Sequence, residues 1–363
     1  MTKRILIAGA GPVGLTAALE FNRRGHAVRI IDKGTGPSDE SRALAINPRT
    51  LDILAPSGAT ERLLAAGRKL RAANLSFSPG HRVRFDLTAL PHRFNFMLGL
   101  PQSRTERILI DLLAERGLAV EWKTPLETIE RIDAPVAATI AGEGLSDGWD
   151  LLVGADGAHS TVRRNLGIGF PGHQLEREWG LADVRVGMPY PFDELLVMSR
   201  EGRLLAMIPV EDDIVRFISD QRDVLGLIPD EFVQKDILWQ SAFAINERRA
   251  EPLSKGDVFL IGDAAHIHSP AGGRGMNLGI EDAGWLAWLF DQGETGRYQA
   301  LRLPVIDGVL DLTSRITAFA SPRSPLVRIA RNTLVPLLAR FPPARNFMLK
   351  RVAGLESPDP PWL

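Results

Sequence analysis

Apolar positions along the chain change period several times, and the changes mark out the elements. Arg4 to Ala8, Asp150 to Val153 and Val258 to Ile261 are short apolar runs of the kind buried on both faces of a parallel sheet. Between them helical spacing takes over. A helix follows Pro12 and runs to Arg24, Gly25 closes it, and Ala27 to Ile31 form the next strand. Thr50 to Leu64 read as a helix interrupted near Pro56, with Asn47 as N-cap and Pro48 at the first helical position. Ser103 to Arg116 resume the helical period with Gln102 at the entrance, and Ala119 to Trp122 return to strand. Asn277 to Phe290 place Leu278, Ala283, Leu286 and Phe290 on one helical face.

Elsewhere the period drops to two. Leu75 to Ser78, Val83 to Leu87 and, less cleanly, Phe94 to Leu98 alternate as half-solvated antiparallel strands do, and so do Leu195 to Met198, Leu204 to Ile208 and Ile214 to Ser219. Hairpin-like links fall at residues 200–202 and 211–213. The predicted fold class is therefore α/β: a Rossmann-like domain in three pieces, 1–70, 101–172 and 256–300, interleaved with a smaller antiparallel β-sheet domain from 71–100 and 173–255. A helical segment, 301–363, completes the chain. Its many arginines and Lys350 would suit an anionic membrane or partner, but its prolines interrupt any long amphipathic face.

Composition narrows the chemistry. A chain of 363 residues, 45% hydrophobic, can bury a large core, and its formal net charge of −1 gives no reason to expect nucleic acid. With no cysteine there is no disulfide, thiolate metal site or thiol nucleophile, and a cytoplasmic location is the simplest setting. Lys3 and Arg4 before an apolar run imitate a secretory signal, yet the glycines there fall at ligand-binding spacing. No apolar run reaches the ~18 residues of a membrane span.

Each buried strand ends in glycine and acid. Gly9-Ala10-Gly11-Pro12-Val13-Gly14 lies between the first strand and its helix, and Asp32-Lys33 follow the second strand, which together make a βαβ dinucleotide fingerprint. Gly9 permits the tight turn, Gly11 leaves room for a pyrophosphate, Gly14 lets helix and strand pack, and Asp32 would accept from an adenosine ribose. This fingerprint alone does not choose between NAD and FAD. Asp156-Gly157 end another strand, reading either as a second ligand contact or as a helix cap with Ser160. Gly262-Asp263 end a third, and a Gly-Gly-Arg-Gly turn then delivers a helix whose first N–H groups, expected at Met276, Asn277 and Leu278, suit an anionic ligand.

Gly9-x-Gly11-x-x-Gly14, Asp156-Gly157 and Gly262-Asp263 in one chain, in that order, resemble the class A flavoprotein monooxygenases of the para-hydroxybenzoate hydroxylase type. The stretch from Gly262 to Ala283 is similar to their flavin-binding segment almost residue for residue. The resemblance implies FAD as cofactor, with Gly9 to Gly14, Asp32 and Lys33 on its ADP part and the backbone near Leu126 beside adenine. Arg42 falls near the pyrophosphate, although it also reads as a surface arginine, and Gln102 beside the flavin or ribityl chain. Asp156-Gly157 are linked in the family to FAD and nicotinamide binding. Asp263 falls on the ribityl hydroxyls, Gly275, Met276 and Asn277 at the pyrimidine edge, and Pro270 at the substrate face. Set against the phenol hydroxylase branch, the sequence is expected to be without the long carboxyl-terminal domain of those enzymes. Arg274 stands at a variable position, reading either as a cation near the ring or as a solvated side chain.

The implied activity is NAD(P)H- and FAD-dependent hydroxylation of a phenolic or other electron-rich aromatic substrate by O₂ through a flavin C4a-hydroperoxide, with NADPH or NADH bound transiently. His268 is a candidate general base, with a structural or flavin-facing role as the other reading, and His266 reads as packed. Asp263, His266 and His268 suit a turn that clamps a ligand, so no metal is expected. Met207, Pro209, Phe217 and Phe96 could line a substrate wall, with core packing the default. Rival readings are a flavin-dependent reductase, a halogenase, whose Trp-x-Trp-x-Ile-Pro signature is missing, and a non-catalytic flavin redox sensor.

Overall fold

The computed structural model describes residues 2–37, 43–78, 81–187, 193–200, 203–230, 232, 234–320, 324, 327, 329, 330, 334 and 341–363. A six-stranded sheet runs in the order Ser254–Lys255, Val258–Leu260, Leu151–Gly154, Arg4–Ala8, Ala27–Ile31, Val120–Glu121, and only its Ser254–Lys255 edge is antiparallel. The continuous apolar runs are explained by this placement. Ile5, Leu6, Ile7, Leu151, Leu152, Val153 and Val258 are fully buried, because helices cover what water would otherwise reach. Parallel strands bring their carboxyl ends to one edge, so Gly9, Asp32, Ala155 and Ile261 leave the sheet side by side.

The interrupted helix is present as Pro48–Leu54 and Ala59–Ala66 with a 3-10 turn, Ala55–Ser57, at the proline, and Asn47 caps it by accepting from the Thr50 N–H (2.8 Å). Leu126–Arg131, Val136–Ile140 and Gly144–Trp149 add an antiparallel meander. The alternation after Phe94 contributes only Met97–Gly99, which pairs with Ala45–Ile46 and Arg68–Leu70 in a separate small sheet.

The two insertions meet in one eight-stranded sheet: His266–Ile267, Gln234–Arg249, Gly172–Val186, Ile214–Ser219, Arg203–Pro209, Glu194–Arg200, Ala72–Ser78, His81–Asp86. It is not wholly antiparallel as expected. Glu194–Arg200 and Ala72–Ser78 pair in parallel, with Glu194 beside Ala72. Parallel neighbours need a long crossover connection, and the chain between the two insertions supplies it. One face, with Leu205, Met207, Val215 and Phe217, is sealed by Val224, Leu227 and Ile228. The other face carries Leu204 and Ile218 toward the long helix Tyr298–Ala320. Met207 and Phe217 are therefore core on the sealed face, and Phe96 is core as well. Pro342–Val352 forms the last helix, and among the described residues no helix is long and apolar enough to cross a membrane.

Candidate functional site

At the shared edge each glycine of the first turn has its own reason. Gly9 has φ +109°, and a Cβ there would stand 2.3 Å from the Ala155 carbonyl oxygen; one on Gly14 would stand 1.9 Å from the Gly9 oxygen. Protein packing explains both. A Cβ on Gly11 would meet nothing within 4 Å, so packing within the chain does not require glycine there, and the open space is where the fingerprint admits a pyrophosphate. Gly11 is also the N-cap of the helix Pro12–Arg23, whose first N–H groups lack intrahelical partners. Asp32 accepts the N–H groups of Ala10 (2.7 Å) and Gly34 (2.6 Å), which ties the turn to the second strand. The Thr124 N–H donates to the Asp32 carbonyl (2.8 Å), and Leu126 lies two residues beyond it; Lys33 is exposed. Arg42 lies outside the described residues.

Asp156 caps. Its Oδ2 accepts from the N–H groups of Thr161 (2.6 Å) and Val162 (3.1 Å), while Ser160 accepts from Arg163 (2.9 Å). Its Oδ1 is buried without a partner among the described residues, which leaves an acceptor for a ligand. Gly157, at φ +78°, turns the chain after it. Sequence reasoning missed Arg163, which spans two motifs by donating to the carbonyls of Ala158 and Ala264 (both 2.8 Å). A basic residue inside a short, otherwise capped helix was a faint signal.

The helix Gly275–Asp291 starts two residues earlier than its apolar period suggested, with Arg274 as N-cap. Leu278 consequently donates to the Arg274 carbonyl (2.8 Å), and the N–H groups without helical acceptors belong to Gly275, Met276 and Asn277. The helix seats against the fingerprint through glycine. A Cβ on Gly279 would stand 2.5 Å from Val13 Cγ2 and 3.0 Å from Gly262 Cα, so Val13 is wedged between the two later motifs. The Asn277 side chain is buried and donates to the carbonyls of Ala45 (2.8 Å) and Gly273 (2.6 Å) while accepting the Asn47 N–H (2.9 Å). Gln102 joins the same neighbourhood: its N–H donates to the Ala43 carbonyl (3.0 Å) and its side chain to Glu106 (2.9 Å). Asp263 is exposed on the 3-10 turn Gly262–Ala264.

Beneath that turn lies a buried ionic network. Asp282 pairs with His266 Nε2 (2.6 Å) and Arg302 Nε (2.8 Å) and accepts the Gly262 N–H (3.2 Å), and Arg302 also reaches Glu281 (2.8 Å). Burial pushes the Asp282 carboxyl up, but Arg302 and His266 together hold it below its usual range. The network pins Gly262-Asp263 to the helix. Glu281-Asp282 inside an otherwise apolar helix was the signal for it.

His268 is buried, its Nδ1 donates to the Ser269 carbonyl (2.8 Å), and its Nε2 has no partner among the described residues. Because Nδ1 carries the proton, Nε2 is a bare acceptor. It lies 3.9 Å from where a Gly275 side chain would begin, so it adjoins the helix terminus. Burial pushes its pKa down to about 4, which makes it a weak resting base at neutral pH. Pro270 is exposed and opens the turn that the Gly273 N–H closes by donating to its carbonyl (2.9 Å). Arg274 is not the solvated side chain that one reading expected. It is buried, and points to the carboxyl-terminal segment, donating to the Arg351 carbonyl (3.0 Å) and Glu356 (2.9 Å), because those groups offer it better acceptors than water at that depth.

Two helix N-termini, acids at three strand ends, an orphaned carboxylate oxygen and free space over Gly11 thus share one edge. Those features fit an extended dinucleotide with phosphates near its middle and a ring that takes up negative charge. The sequence profile of a family described as "FAD binding domain" matches residues 2–304. A 6-methylpretetramide 4-monooxygenase from Streptomyces rimosus is 32% identical over 97% of this chain and 68% of its own length. The structure of OxyS anhydrotetracycline hydroxylase from the same species superimposes with a TM-score of 0.81, at 30% identity, over 99% of this chain and 77% of that one. A ternary complex of aklavinone-11 hydroxylase with FAD and aklavinone is 25% identical with a TM-score of 0.73, over 87% of this chain and 68% of that one.

Proposed function

The chain belongs to the FAD binding domain family, among the class A flavoprotein monooxygenases, and on that premise we propose that it hydroxylates a phenolic or other electron-rich aromatic substrate. The balanced reaction is substrate C–H + O₂ + NAD(P)H + H⁺ → substrate C–OH + H₂O + NAD(P)⁺. Bound FAD supplies the relay of two electrons from NAD(P)H and the activation of O₂ as an electrophile toward carbon. The observation that carries this reading is the convergence of Asp32, Asp156, Asp263 and the N-terminus of Gly275–Asp291 on one edge of a parallel sheet.

The residues divide the work. Gly9, Gly11, Pro12, Val13 and Gly14 admit and hold the pyrophosphate; Asp32, Lys33 and Leu126 flank the adenosine; Arg42 neutralises phosphate charge. Gln102 and Asp263 hold the ribityl chain, and Asp156-Gly157 complete the wall. The N–H groups of Gly275, Met276 and Asn277 put positive potential at the ring edge that becomes anionic on reduction. Neutral His268 accepts a hydrogen bond beside that edge, and Pro270 shapes the substrate face. The relatives named for 6-methylpretetramide, anhydrotetracycline and aklavinone support the substrate class.

The test is direct. Purified protein is expected to be yellow and to release FAD on denaturation. A panel of phenols and polycyclic aromatics, screened for faster NAD(P)H consumption under ¹⁸O₂, is expected to yield one product that gains a single labelled oxygen. If FAD binds but every substrate leaves the rate unchanged and gains no label, the hydroxylase reading is overturned.

A further inference from the structure

Two buried arginines hold residues 351–359 against the start of the helix Gly275–Asp291. Arg49 donates its backbone N–H to the Ala353 carbonyl (3.3 Å), Nε to the Gly354 carbonyl (3.4 Å), and Nη2 to the Ser357 carbonyl (3.4 Å) and the Asp359 carboxylate (2.6 Å). Arg274, the N-cap, donates Nη1 to the Arg351 carbonyl and Nη2 to Glu356. Gly354, at φ +77°, sits where they cross: a Cβ there would stand 2.7 Å from Arg274 Nη1, 2.8 Å from Asn47 Nδ2 and 3.0 Å from Arg49 Cβ. Asn47 in turn donates its N–H to Asn277, the third residue of the helix. One layer of side chains therefore separates the Arg274 guanidinium from the helix's first turn.

An exposed pair at this distance would matter little, but Arg274 is 1% exposed and the Glu356 side chain 24%. A guanidinium keeps its proton wherever it is placed. The other charges acting on it are Glu281, Arg302 and Arg351, and Glu281 is already spent on Arg302. Only Glu356 is left to balance it among the described neighbours.

We propose that Glu356 is a positioning residue: it neutralises Arg274 beneath the N-terminal turn of Gly275–Asp291 and so sets the reduction potential of a flavin bound at that turn. The inference rests on the FAD site proposed above. With Glu356 in place the helix terminus acts on the flavin with its own partial charge. Without it, a full cation reinforces that charge and favours the anionic reduced form.

The experiment equilibrates the full-length, FAD-loaded protein with a reference dye and reads the ratio of reduced to oxidised flavin. Glu356→Gln is expected to move that ratio at least tenfold toward reduced flavin, which for a two-electron couple is about 30 mV. Arg274→Gln is expected to move it the other way at pH 8, and Arg274→Gln with Glu356→Gln is expected to return it to the starting ratio. Two variants with opposite expected shifts keep the inference falsifiable if one does not fold. A ratio unchanged in both single variants, even with lower melting temperatures, overturns it and leaves the pair merely structural. Wild-type protein that takes up no FAD overturns this inference together with the site reading, whereas FAD uptake with an unmoved ratio overturns this one alone.

Discussion

His268 shows how a single side chain is defined by what surrounds it. Its folded pKa of about 4 lies below the ordinary imidazole value near 6.5, so the folded protein prefers the neutral ring. The unfolded chain takes up the proton first as pH falls. The stabilisation is complete above about pH 6.5 and is lost on the way down to pH 4, a swing of about 3 kcal/mol. Urea unfolding of the FAD-free protein at pH 7.5 and at pH 4.5 is expected to show that loss, and His268→Asn to remove most of it. His26, also buried, shifts in the same direction and accounts for part of what persists. At this scale the sequence was legible where chemistry is carried by residue type at fixed spacing: Gly9, Gly14, Asp156 and Asp263 stand where strand, turn and acid placed them. It was illegible for Arg274, because a side chain of that length chooses its partner from groups far along the chain, here Arg351 and Glu356.

Helices and strands meet through the smallest residues. Gly279 lies inside a helix, where alanine is ordinarily better by about 1 kcal/mol. Here the added methyl would sit 2.5 Å from Val13 Cγ2, and the helix must move off the fingerprint turn. Gly279→Ala is expected to destabilise by about 2 kcal/mol net of propensity and to weaken FAD binding, and Val13→Ala added to it to restore part of both. Isothermal titration with FAD and chemical denaturation of the four proteins in the cycle measure the coupling; strictly additive effects would show that the contact does not matter. Buried parallel strands and the capped helix Pro48–Leu54 were readable because packing demands apolar runs and capping demands particular side chains. Gly172–Val186 and Gln234–Arg249, the two longest strands, were not. Only the second half of Gly172–Val186 buries apolar residues, with Trp179, Ala182, Val184 and Val186 in the core, and Gln234–Arg249 is mostly exposed or half-buried, so neither shows an apolar pattern along its whole length.

Across the whole molecule the chain passes repeatedly between its two large sheets. Arg4–Ala8 pairs with Leu151–Gly154, which pairs with Val258–Leu260, while Ala72–Ser78 waits for Glu194–Arg200. A fragment of residues 1–172 keeps the whole fingerprint but lacks the strand Val258–Leu260 and the helix that covers it. It is expected to show no cooperative thermal transition by circular dichroism, whereas the full chain shows one; a sharp melt from the fragment would mean that the early strands suffice. The same lacing bears on how the protein is made. When Leu151–Gly154 leaves the ribosome, its outer neighbour is still about 100 residues from synthesis, on the order of 5–20 s at ribosomal speeds. For that interval a greasy strand margin stands open on the nascent chain, and yield should rise with holdase capacity and with slower translation at low temperature.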